Sequence, residues 1–171
     1  MKKYIVGVLF FFLVFSIIII FNSNILATKS YTKPPQELIY DSDTELKPYI
    51  DKFFRDLNNY NIYPVIPKNF TVKLSDLDAH SPTTHAHGIS YGFEDDDLVE
   101  IYINKRSWEA FNKSLRYYII YHELSHDILN LDDLSDNDNN FGKIMYPSIS
   151  NYQNTTMDDF ISNMKLLFDS L

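Results

Sequence analysis

Residues 115–136 read LRYYIIYHELSHDILNLDDLSD, an apolar run that passes through His122-Glu123-Leu124-Ser125-His126 and ends among aspartates. Residues 115–129 contain no Gly or Pro. Leu115, Tyr118, Ile119, His122, His126 and Leu129 recur at the spacing of one helical stripe. On a helix the two imidazoles point the same way, one turn apart, and can share a metal ion. Glu123 lies about 100° round the helix from His122. That is too far for a third ligand on the same helix, but within reach of a metal-activated water as a general base. The H-E-x-x-H run is therefore a candidate zinc site, with His122 and His126 as ligands and Glu123 as base. In the other account the histidines are core residues, and each imidazole then needs a buried hydrogen-bond partner of its own.

A catalytic zinc takes three protein ligands, and the third must come from beyond this helix. No glutamate follows Glu123, which excludes a Glu on a later helix. The remaining arrangement requires the helix to break soon after His126 and the chain to double back. In DILNLDDLSD, residues 127–136, the natural breaker is Asn130, because Asn tolerates the left-handed conformation that ends helices.

The chain has 171 residues, enough for one domain. It opens with MKKYIVGVLFFFLVFSIIIIFN, uncharged from Tyr4 to Phe21 and apolar there apart from Ser16. A run of about 18 residues is at the lower limit for a membrane-spanning helix. Cleavable signals usually have shorter cores, and Ile25-Leu26-Ala27 is a poor cleavage site. An uncleaved signal-anchor over residues 1–27 is expected, with a cleaved signal peptide as the alternative. Lys2 and Lys3 hold the N-terminus in the cytoplasm either way. The remainder is then extracytoplasmic and membrane-anchored, or secreted if the segment is cleaved. Residues 28–41, with Pro34-Pro35, are expected to form a stalk, and residues 42–171 the domain. The net charge of −8 and the absence of a Lys/Arg cluster argue against nucleic acid as a partner. With no cysteine there is no disulfide, thiolate nucleophile or Cys ligand. A monomer is expected.

Periodicity outlines a small α+β domain. A helix is expected over DTELKPYIDKFFRDLNNY, capped by Ser42 or Thr44. Strands are expected at Phe70–Leu74 and Leu98–Ile103, with loop over Asp76–Gly92 and an acidic turn over Gly92–Asp97. The histidine helix is capped by Asn112 or Ser114. A polar loop spans Asp132–Asn140, and Ile144–Pro147 is a compact apolar patch. The last helix opens at Thr155–Asp158 as a capping box and buries Met157, Phe160, Ile161, Met164, Leu167 and Phe168.

From Leu98 to Tyr152 the chain resembles the metzincin clan of zinc peptidases, whose motif H-E-x-x-H-x-x-G-x-x-H/D is followed by a turn with a Met below the metal. The strand LVEIYIN, the helix with YHELSH, the Leu-Asn-Leu-Asp-Asp elbow and Ile144-Met145-Tyr146-Pro147 carry the resemblance, and Met-Tyr-Pro is similar to the matrixin branch. Leu129 stands where the family has glycine, and leucine resists positive φ. With Asn130 as elbow the third ligand falls at Asp133; counted without a gap it falls at Asp132. The resemblance implies a zinc endopeptidase acting on peptide or protein substrates, with a twisted sheet over the zinc helix and a C-terminal helix. It implies Met145 as the floor of the site and Tyr146 and Pro147 lining a substrate pocket. It also implies an edge strand carrying Val99, Ile101 and Ile103 that pairs with extended substrate.

Rival readings are an aspzincin-like peptidase with Asp136 or Asp138 as third ligand, and a non-catalytic membrane-tethered binding protein. In DAHSPTTHAHGIS, His80, His85 and His87 raise a second structural zinc through His85-x-His87, against plain solvated histidines. The run DDLSDNDNN lacks the ligand spacing of a calcium loop.

Overall fold

The computed structural model describes residues 38–80, 86–95, 97–148 and 154–171. The expected anchor, most of the stalk, and His85 lie outside them. Among the described residues no helix is long and apolar enough to cross a membrane. The compact unit begins at Leu38, so residues 38–41, expected in the stalk, belong to the domain.

The fold is mixed α+β, with four strands and five helices among the described residues. In chain order these are β1 (Asp41–Ser42), α1 (Lys47–Asn59), β2 (Asn69–Ser75), α2 (Leu77–His80), β3 (Gly88–Ser90), β4 (Leu98–Asn104), α3 (Lys105–Ala110), α4 (Lys113–Leu129) and α5 (Met157–Asp169). The sheet order is β1-β2-β4-β3. β1 and β4 run parallel to β2, while β3 is antiparallel to β4.

This order corrects the expected edge strand. Ile101 pairs with Val72 on one side and Ser90 on the other. β4 is therefore interior, and Val99, Ile101 and Ile103 are wholly buried. All three form core, and Ile101 and Ile103 are paired on both sides, with no free backbone edge for a substrate. The apolar alternation of LVEIYI marks a strand with one buried face, which says nothing about its neighbours. The outermost strand on that side is β3, three residues long and starting at Gly88, within the stretch whose composition reads as loop.

α4 lies across the domain. The Asn112 side chain accepts from Leu115 N at 2.9 Å and caps its first turn. α1 has no side-chain cap, neither Ser42 nor Thr44; Leu46 takes the cap position, and Pro48 sits in the first turn where a missing N–H costs nothing. α5 closes its capping box one residue later than expected, between Thr156 and Asp159. Its buried stripe is Phe160, Met164 and Phe168, with Met157 and Leu167 partly buried beside the core and Ile161 exposed.

The core joins Ile50, Phe53 and Leu57 of α1, Phe70, Val72, Val99, Ile101 and Ile103 of the sheet, and Tyr117, Ile120, Tyr121 and Leu124 of α4. Tyr121 is central. Its ring meets Phe53 edge-on at 5.1 Å and Phe160 at 4.9 Å. Its hydroxyl donates to buried Asp56 at 2.6 Å, which also receives Lys52 at 2.6 Å. Tyr121→Phe keeps the ring contacts and leaves Asp56 one donor short. It should cost about 1–2 kcal/mol, read as a lower urea midpoint with an unchanged m-value.

Candidate metal centre

The centre begins with the way α4 ends. Asn130 has φ 51° and ψ 47°, the left-handed conformation, and Leu131 N donates back to Ser125 O at 3.2 Å. The Asn130 side-chain oxygen accepts from Glu94 N at 3.0 Å, which ties the elbow to the β3–β4 turn. Reversed there, the chain presents Leu131 O to His126 Nδ1 at 2.6 Å. Two residues on, Asp133 Oδ1 comes within 3.4 Å of His122 Nε2 and 3.6 Å of His126 Nε2. His122 Nδ1 meets Ile144 O at 2.8 Å, so the segment expected to form the Met-turn holds this imidazole in place.

These contacts determine the protons. A carbonyl only accepts, so each Nδ1 carries the hydrogen, which leaves Nε2 as the ring atom that can offer a lone pair. Burial lowers the proton affinity of His122, favouring its neutral form. The two Nε2 atoms are 3.1 Å apart, and Asp133 Oδ1 completes a triangle of acceptors. In a tetrahedral site with bonds of 2.0–2.1 Å, ligand atoms lie about 3.3 Å apart. Separations of 3.1, 3.4 and 3.6 Å fit a cation of zinc's size. Among the described residues, His122, His126 and Asp133 are the one such group close enough to share an ion.

The other expected positions are distributed as follows. Asp132 lines a separate groove with Leu131, Leu134 and Leu167, so the elbow at Asn130 selects Asp133. Asp136 receives the phenol of Tyr146, and neither it nor Asp138 joins the triangle. Met145 is buried in the core. Tyr146 and Pro147 line a cleft of about 410 Å³ that contains the three ligand residues and Glu123. His87 meets the Ser107 hydroxyl at 2.7 Å; its expected metal-binding companion His85 lies outside the described residues.

Composition and periodicity missed three features. β3 forms one wall of the cleft through Gly88 and Ser90. Gly88 makes room for Glu123: a Cβ there would lie 2.4 Å from Glu123 Oε1, so the glutamate side chain would have to shift. The isolated glycine after HAH was the available signal. Asp127, one turn beyond Glu123, is also buried. Burial pushes its carboxyl up to about 6, against the partial relief of the Ser90 hydroxyl, His126 and the Glu100 backbone. Glu123 is pushed up to about 8, first by burial and then by the charges of Asp127 and Asp133.

Compared with protein-family models, curated proteins and solved structures, the chain matches none of them.

Two outcomes are expected. Elemental analysis should find one zinc per chain, lost in His126→Ala and Asp133→Ala and kept in Asp132→Ala. The second concerns Glu123 in protein stripped of metal. Its carboxyl ionises near 4.5 when unfolded and about 8 when folded, so between those values the folded state holds a proton that the unfolded state releases. The contribution of Glu123 to stability then falls as pH rises from 4.5 to 8. Glu123→Gln removes that slope and should be more stable than the parent at about pH 8 by on the order of 3 kcal/mol. Denaturation curves in chelator at both pH values would measure it.

Proposed function

We propose that the chain is a zinc-dependent endopeptidase of metzincin type, held at the membrane by its N-terminal apolar segment with the domain on the extracytoplasmic side. The observation that carries this reading is the triangle of Nε2, Nε2 and Oδ1 acceptors beside a buried glutamate in an open cleft. Zinc bound there would supply a Lewis acid that polarises a peptide carbonyl and acidifies water.

The remaining work falls to residues of the chain. Glu123 takes a proton from the attacking water and passes it to the leaving amine. Gly88 leaves room for that carboxylate against β3. The carbonyls of Ile144 and Leu131 hold both imidazoles in the tautomer that offers Nε2. β3 is the outermost strand beside the cleft, so an extended peptide can add to it through main-chain hydrogen bonds. Tyr118, Ile119, Tyr146 and Pro147 then receive a side chain next to the scissile bond.

Incubating the zinc-loaded protein with a mixed peptide library, with products read by mass spectrometry, tests the reading. Internal cleavage should appear in the parent. Glu123→Ala should lose roughly 10²–10⁴-fold in rate while keeping its zinc. Gly88→Ala should keep zinc and lose rate by tenfold or more, because its methyl group displaces Glu123. A parent that binds zinc and cleaves nothing across a broad library would instead be a metal-dependent binding protein.

A further inference from the structure

The segment that delivers Asp133 and the turn that lines the cleft are joined by two cross-links. Leu134 N donates to Met145 O at 2.8 Å. Next to it, the Tyr146 phenol donates to the Asp136 carboxylate. Between these ties the chain is bonded to itself: Asn140 Nδ2 reaches Ser135 O at 2.9 Å, and Lys143 N and Tyr146 N donate to Asn140 O and Lys143 O at 3.1 Å each. Tyr146 is buried, with Phe141 edge-on to its ring at 5.8 Å. Asp133 differs. Its side chain is 47 % exposed, so its aim at the histidines depends on the backbone that carries it.

We propose that Asp136 is a positioning residue for the metal centre. By holding the Tyr146 phenol, it clamps residues 133–136 against the Met145–Tyr146 turn and so aims Asp133 at the two Nε2 atoms. The same clamp fixes the Tyr146 ring as a wall of the cleft. This assignment rests on the zinc reading above and gives Asp136 a role that is neither ligand nor base. A carboxylate is well matched to that role, because in its ionised form it is a stronger acceptor for a buried phenol than a neutral oxygen. Outer contacts of this kind hold a ligand to its ion, and their loss typically weakens metal binding 10–100-fold.

The test is zinc affinity of the full-length chain, measured by competition with a chromogenic chelator, in the parent, Asp136→Ala, Tyr146→Phe and the double variant. Each single change should raise the zinc Kd about 10–100-fold, and the double should be no worse than either, since both remove one bond. Asp136→Asn should fall between parent and Asp136→Ala, because its amide oxygen still accepts the phenol. With cobalt(II) in place of zinc, the visible bands should change in Asp136→Ala and recover in Asp136→Asn. A zinc Kd unchanged in both single variants overturns the proposal, even if both denature at lower urea, since that marks a purely structural bond. Losses that add in the double variant also overturn it. A parent that binds no zinc overturns the reading beneath it instead.

Discussion

A helix that must bring its own chain back to its last histidine has to stop within about one turn, and here that depends on one left-handed residue. Asn130 takes φ 51°, a conformation that costs most L-residues roughly 1–2 kcal/mol and Asn less. The rest of the centre follows from that turn. Leu131 O reaches His126, Asp133 reaches both imidazoles, and Leu134 can bond Met145. The Asn130 side chain also accepts from Glu94, so a leucine at this position would lose both the conformation and the link to the β3–β4 turn. Leu129, one residue earlier, remains helical.

The electrostatics favour a cation at the same place. Glu123 and Asp127 are buried carboxylic acids one helical turn apart, and Asp133 lines the same cleft as Glu123. No lysine or arginine is among the described residues that line it. Each carboxylate raises the proton affinity of Glu123, and a buried charge without compensation is costly. Protons meet the deficit when the pH is low enough. A divalent ion would meet it at neutral pH, and would sit against the two Nε2 atoms that lie 3.1 Å apart.

The centre was more legible in the sequence than the sheet that supports it, and the reason is physical. Ligation imposes residue types at spacings set by a helix turn and a bond length, so His122, Glu123 and His126 stand out even in isolation. The elbow could be placed because few residue types adopt positive φ, and Asn130 was the available one. Sheet order depends instead on which strands meet in space. The apolar period of LVEIYI is the same for an interior strand as for an edge, and β3 is too short to show a period. Gly88 and Asp127 act through contacts between elements distant in sequence, which composition does not record. The capping box falls one residue later than expected because Thr155-x-x-Asp158 and Thr156-x-x-Asp159 offer the same chemistry, and periodicity does not choose between them.

The same reasoning explains how a recognisable centre can sit in a chain that matches no family model, curated protein or solved structure. What an ion requires is a small set of atoms at fixed separations, and many scaffolds can supply them. In this chain the left-handed turn at Asn130 brings Asp133 against both imidazoles, while Asp132 faces a separate groove. All three acceptor atoms come from one helix and the short segment that follows it. So local an arrangement places few demands on the rest of the sequence, and a chain can carry it without resembling another scaffold.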